Sequence, residues 1–381
     1  MAAGDSWTLW AVLLSASAFG LSQERTRLGA ALSAPVVTTL AGLLLSNLGV
    51  IPTAAPAYDV VNAYLLPLSV PLLLFGADLR RVVRDTGRLL GAFTLGALGV
   101  VLGTLLALHL FPMTHLGEDA WKMAAALCSR HIGGAVNYVA VAGALQVTPS
   151  LIAAGLASDN LVCAVYFSCL FAMAPAAEAQ AAEPGAAAPS AAEDSVSVNG
   201  VAFALAASAC VCAAGVACAR ALQLQGADIP VITALVVLLA TLCPRLTAPL
   251  APAGEGMAKI LLQTFFAVVG ASGSVRAVLS TAPALFLVSG TQVGVHLALM
   301  LLVGRALGFS RPELLIASNA NVGGPTTAAG MATAKGWRSL LVPAILMGVL
   351  GYALATFASI ALGKWVLAPM WRASAAAAIA V

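Results

Sequence analysis

Ser129-Arg130-His131-Ile132-Gly133-Gly134-Ala135-Val136-Asn137 and Asn319-Ala320-Asn321-Val322-Gly323-Gly324-Pro325-Thr326-Thr327 decide how this chain is read. Each stretch is a polar, glycine-rich interruption of an apolar segment, and each is followed at once by further apolar sequence. The paired glycines weaken helix continuity. Pro325 removes a backbone donor and crowds the preceding turn. In a bilayer, the freed amides and carbonyls must be met by protein, water or a ligand. Half-helix N-termini then favour anions and half-helix C-termini favour cations. A matched pair of interrupted membrane helices is how secondary transporters assemble a substrate site at mid-bilayer. The competing reading is close helix packing through small residues.

Composition sets the frame for that reading. Of 381 residues, 61% are apolar and 9% are charged, and the mean hydropathy is +0.99. A soluble domain carries about a quarter charged residues, so this chain lacks the polar surface to cover a water-soluble globule. It is read as an all-α polytopic membrane protein. A net charge of +3 without a basic cluster gives no case for nucleic acid. The seven cysteines lie in or beside apolar segments without metal-ligand spacing and are read as packing residues. Thr8 to Ala18 lacks the basic flank of a signal peptide and is read as a first membrane helix.

The twenty-residue rule for a span places segments at 7–21, 30–51, 58–77, 88–111, 120–147 and 149–173. It places six more at 199–222, 228–244, 257–272, 277–304, 311–335 and 338–365. The chain therefore divides into a first transmembrane repeat (1–173), an acidic Ala/Pro-rich linker (174–198) and a second repeat (199–381). The linker reads as flexible and exposed. Arg80, Arg81, Arg84 and Arg88 form the most basic loop, which should face the cytosol or its equivalent. Three spans later, the linker falls on the far side. Here the sequence contradicts itself. Broken-helix transporters usually have inverted halves, yet six spans per half would make these halves parallel.

The polar residues near the breaks carry the candidate chemistry. Asp159 and Asn160 lie within an apolar helix, and a carboxylate at membrane depth is by default a functional hypothesis. Asp159 is expected to bind Na⁺ or carry H⁺, or else to pair with Arg130. Asn160, Asn319 and Asn321 are oxygen donors suited to the same ion. Ser129, Arg130, His131, Gly133, Gly134, Asn137, Gly323, Gly324, Thr326 and Thr327 are the expected substrate contacts. Among them, Arg130 suits an anionic substrate and His131 suits a proton relay. Gln263, Thr264 and Gln292 are further polar positions along a path. His109 and His296 receive no role. No nucleophile elbow, zinc motif or Walker A loop is present, so neither an enzyme nor a cofactor beyond a coupling Na⁺ is expected.

Several stretches resemble one family. They are Leu65 through Arg81, His131 through Tyr138, Ala157 through Asn160, and Ser318 through Thr326. All are similar to the corresponding stretches of the DUF819 membrane proteins, and the N-terminal segment resembles the plant and cyanobacterial branch. That resemblance implies the superfamily of cation:proton antiporters and anion transporters. It further implies an NhaA-like or bile-acid-symporter-like fold of two related halves. In such a fold a core domain of crossing broken helices moves against a panel domain that often dimerises. It implies Na⁺- or H⁺-coupled transport of a small organic anion, with monovalent cation/H⁺ antiport or a non-transporting scaffold as alternatives. The location implied is a plastid envelope for a plant or algal source and a plasma membrane for a bacterial one. Arg130-His131 departs from the family's usual uncharged, often Tyr-containing pattern, which bears on ion and substrate preference.

Overall fold

The computed structural model describes residues 6–23, 26, 34–174, 197–223, 227–273 and 275–379. Positions 175–196 of the linker lie outside the described residues. The first half begins with α1 (Ser6–Gln23), α2 (Ala34–Asn47) and α3 (Pro56–Leu74). A short amphipathic α4 (Leu79–Thr86) follows, its N-terminus capped by the Asp78 carboxylate, which accepts from the amides of Arg80 and Arg81. Next come α5 (Arg88–Leu110), α6 (Asp119–Gly133), α7 (Ala135–Ala144) and α8 (Pro149–Met173).

The second half holds α9 (Val198–Ala221), α10 (Asp228–Leu242), α11 (Ala251–Ala271) and α12 (Val275–Ala306). It ends with α13 (Arg311–Ala334), α14 (Arg338–Leu362) and α15 (Ala368–Ile379). Among the described residues, six helices are long and apolar enough to cross a membrane, and α10 forms a seventh candidate with the segment 244–271, to which it is bent by 103°. The protein is an all-helical polytopic membrane protein.

Packing sorts these helices into two bodies. In the panel, α11 packs on α1, α2 and α3, while α9 and α10 flank α3. Small residues set this contact. A Cβ at Gly42 would run into the Ala267 carbonyl, and one at Gly270 into the Thr39 carbonyl. In the core, α12 packs on α5 and α8, and α14 on α6 and α13. Gly96, Gly99 and Gly103 of α5 let α12 approach so closely that a Cβ at Gly103 would sit 2.7 Å from the Gln292 carbonyl. Each half thus supplies panel helices first and core helices second.

Matching helices of the two halves run in opposite directions. Near the start of α5, Arg88 donates to the Gly308 carbonyl beyond the end of α12 (2.5 Å). Farther along, Thr104 meets Gln292 (2.9 Å). In the panel, Gly76 after α3 lies beside Ala251 at the start of α11. The opposite ends of these two helices come together at Leu66 and Val268.

The segments read as spans at 120–147 and 311–335 are instead hairpins. Thr148, just past α7, donates to Asp119 at the start of α6 (2.6 Å). Met123 and Tyr138 both face Gly155 of α8. In α13, the Asn319 amide nitrogen lies 3.3 Å from Met331 Sδ, although twelve residues of straight helix would part them by about 18 Å. Lys335 then donates to the Ala174 carbonyl at the end of α8 (3.1 Å). Each hairpin enters and leaves on one face. With these two segments no longer counted as crossings, the antiparallel contacts above stand: the halves are inverted and the parallel count is corrected.

The linker's side is corrected with it. Ala174 sits beside Lys335 on the face that also holds Arg84, Arg88, Arg311 and Arg338. Across the linker, Gly200 contacts Ala253 near the start of α11, on that same face. The opposite face carries Glu118 and Asp119, with Arg372 paired to Glu118 (2.9 Å). Hydrogen bonds from Arg372 and Trp121 hold the Glu118 carboxyl below its usual range.

This topology is testable by impermeant thiol labelling of single cysteines in a cysteine-free background. Asp119→Cys and Thr148→Cys should label from one side, and Arg84→Cys and Lys335→Cys from the other. Labelling of positions 119 and 148 from opposite sides would mean that the first hairpin is a crossing helix.

Candidate ion and substrate site

The two hairpins meet tip to tip on α14. Their breaks fall at Gly134 (φ +84°) and Gly324 (φ +80°), a region that costs glycine little and other residues much. The Tyr352 ring touches both glycines. Gly348 and Gly351 on the same helix make room for the tips. A Cβ at Gly351 would stand 2.5 Å from the Ile132 carbonyl, and one at Gly348 would strike the Pro325 ring. Asn137 fastens the first tip by donating to the Tyr352 carbonyl and to Thr356 (2.9 Å each).

Beside the first tip lies a charged cluster. Asp159, fully buried, accepts from Arg130 Nε through Oδ2 (2.7 Å) and from Ser289 through Oδ1 (2.7 Å). His131 Nε2 lies 2.6 Å from the same Oδ1. Arg130 also reaches the Asn160 side-chain oxygen (3.2 Å). The Cys163 thiol is 3.5 Å from Oδ2. Donor atoms of His131, Asp159 and Cys163 lie within 4.8 Å of one another, but Arg130 holds the carboxylate oxygen that a metal would need.

Beside the second tip lies a neutral chain. His296 of α12 contacts the Gly96 carbonyl through Nδ1 and Ser318 through Nε2 (2.8 Å each). Ser318 in turn bonds Tyr166 of α8. One face of α8 therefore serves both tips, through Asp159 and Cys163 for the first and Tyr166 for the second.

Two cavities flank the tips. One of about 570 Å³ lies between panel and core on the basic face. Ala135, Val136, Pro325, Thr326 and Tyr352 form its core wall, and Arg81, Glu255 and Lys259 stand on its panel side. The first turns of α7 and of the post-break arm of α13 thus open on one space; the second arm starts at Pro325, which has no amide hydrogen, so α7 offers more of the free first-turn donors. A second cavity of about 610 Å³ sits at the opposite ends of α3, α7 and α11, with Gln146, Arg220 and Asp228 among its walls. Leu262, Phe265 and Phe266 of α11 stand between the two.

The residues read from sequence divide accordingly. Gly134, Gly324 and Thr326 reach the cavity region, and Gly133 and Gly323 pack at the tips. Thr327 caps the second break by donating to the Gly324 carbonyl (3.2 Å). Ser129 is sealed, its hydroxyl spent on the Ala126 carbonyl (2.7 Å). Arg130 and His131 meet Asp159 rather than the cavity. Asn319 and Asn321 are buried in the second hairpin beside Met331 and Phe93, separate from the Asp159 cluster. Gln263 and Thr264 tie α11 to Thr38 and Ser17. Sequence reasoning passed over His296, Ser289, Ser318, Tyr166 and Tyr352. For His296 a signal existed, since Ser289, Gln292 and His296 share one helical face at 3–4 residue spacing.

A helical membrane protein with two opposed, broken hairpins, a buried ion pair and paired cavities is the class this geometry defines. The chain belongs to the DUF819 family, described as "Protein of unknown function (DUF819)", whose family model matches residues 11–369. It is 30% identical over 388 residues to the uncharacterized membrane protein YjcL of Bacillus subtilis (strain 168), covering 95% of this chain and 97% of that relative.

The ion pair carries a stability cost when halved. Asp159→Asn strands the Arg130 charge and should cost about 3–5 kcal/mol. Adding Arg130→Gln should restore much of the loss. Thermal unfolding in detergent measures both. An additive loss in the double variant would mean the two side chains are not energetically coupled.

Proposed function

We propose that this protein is a secondary active transporter of a small organic anion, coupled to Na⁺ or H⁺. The carrying observation is the shared cavity, onto which the first turns of one half-helix from each inverted half open. Helix N-termini present unpaired amides and the positive end of the helix dipole. Two of them on one water-accessible space favour an anion without placing a buried lysine at the site. Arg81 and Lys259 also stand at the cavity, paired with Asp85 and Glu255.

Alternating access follows from the remaining geometry. The tips, α8, α12 and α14 form one body, while α3 and α11 form the wall it abuts. Cavities at opposite ends of that wall are the two vestibules. An elevator-type slide of core against panel would carry the tips from one to the other. The alternative, monovalent cation/H⁺ antiport, needs an available carboxylate, and Asp159 is already compensated by Arg130.

The test is uptake into proteoliposomes of labelled mono-, di- and tricarboxylates under imposed Na⁺ or pH gradients. One class should accumulate. Thr326→Val and Tyr352→Phe should each raise its KM about tenfold, the worth of one hydrogen bond to a charged group. Gradient-driven cation exchange with no anion accumulating would favour the antiporter instead.

A further inference from the structure

The Asp159 cluster has one open position. Its carboxylate is held ionised as the counter-charge of the Arg130 guanidinium, 2.7 Å away, and it also accepts from the Ser289 hydroxyl. His131 Nε2, at 2.6 Å from Oδ1, therefore carries hydrogen and donates. That leaves His131 Nδ1, which is buried and has no hydrogen-bond partner. A buried polar atom without a partner calls for an explanation such as a catalytic role or an absent ion.

Charge counting narrows the choice. With His131 neutral, the Arg130 cation and the Asp159 anion cancel. Na⁺ at the carboxylate would face oxygens already engaged by Arg130, His131 and Ser289, and would lie against the guanidinium. A proton meets neither obstacle. It adds to the Nδ1 lone pair, breaks no bond and leaves every contact of the cluster in place. The product is an imidazolium that still donates to Asp159. The cluster then carries one net positive charge in a low-dielectric interior, where an uncompensated charge is costly.

Resting on the transport reading above, we propose that the coupling ion is a proton bound at His131 Nδ1. Asp159 is the fixed counter-charge and not the carrier. The compensating negative charge is the anion in the cavity between panel and core, against the tip that follows His131 by four residues. Anion and proton are then taken up together, because each lowers the cost of burying the other. The groups around His131 fit this role. Its own hairpin contributes Arg130, α8 contributes Asp159 and Cys163, and α12 contributes Ser289 and the neutral His296 chain. From α7 comes the phenol of Tyr138, and from α14 that of Tyr352. Asp159 is the one acid of this shell, and Arg130 already neutralises it.

The measurement is ¹⁵N NMR of histidine-labelled protein in nanodiscs between pH 8 and pH 5, in Na⁺ and in K⁺. The chain has four histidines, and a His109→Gln/His115→Gln variant leaves His131 and His296. The expected result is one buried imidazole that gains hydrogen on Nδ1 as pH falls, equally in Na⁺ and K⁺, and is lost in His131→Gln. Succinate, the anion probe, should increase its doubly protonated fraction at fixed pH. A His131 that stays singly protonated throughout, or that responds to Na⁺ at constant pH, overturns the proposal. The double variant keeps this readout if His131→Gln does not fold. Since the signal needs no transported substrate, failure of every anion to accumulate would sink the transport reading alone.

Discussion

The structure depends on the cost of breaking a helix inside a bilayer. At Gly134 and Gly324 the backbone leaves helical geometry, and the amides and carbonyls released there have no water from lipid to turn to. Everything around the breaks answers that demand. Thr327 satisfies the Gly324 carbonyl, Asn137 ties the first tip to α14, Gly348 and Gly351 let the tips lie on that helix, and Tyr352 covers both. The first-turn amides that remain face a cavity.

Inversion converts two such breaks into one site. Hairpins entering from opposite faces meet only if each stops at mid-depth, and each does so at its glycine. The same inversion puts a vestibule at either end of α3 and α11. The proposed transport then needs no continuous pore, only a change in the height of the core by the depth of the aromatic layer formed by Phe265 and Phe266. The small-residue seams differ in kind. Within the panel and within the core, Gly42, Gly270 and Gly103 lock helices backbone to backbone. Between the two bodies, apolar side chains of α7 and α11 border open cavities, as a sliding surface requires.

Much of this was legible in the sequence. Composition gave the membrane, the repeated Gly-Gly pairs gave the positions of the two helix breaks, and helix boundaries such as Pro149 and Arg338 were readable from proline, charge and hydropathy. The hairpins were not. A segment of about 25 apolar residues that crosses the bilayer and one that folds back at a glycine have the same hydropathy. The difference lies in contacts such as Asp119 with Thr148 and Asn319 with Met331, which join residues 12 to 29 positions apart. The miscount by one crossing per half, the linker's wrong side and the parallel halves all came from that ambiguity. Likewise, pairing of Asp159 with Arg130 stood in the sequence as one of several options, and only the meeting of α6 with α8 selected it. His296 received no role because a lone histidine in an apolar helix does not name its partners on other helices, here Gly96 and Ser318.

The central claim is that core and panel move past each other. It is tested most directly by spin-label distances in nanodiscs, between Arg245→Cys on the panel and Arg338→Cys on the core. A panel-only pair, Arg220→Cys and Lys259→Cys, serves as the control. The account predicts two distance populations for the panel–core pair, redistributed by a transported anion and by pH, with a single unchanging distance for the panel pair. One fixed panel–core distance under all gradients and ligands would contradict it.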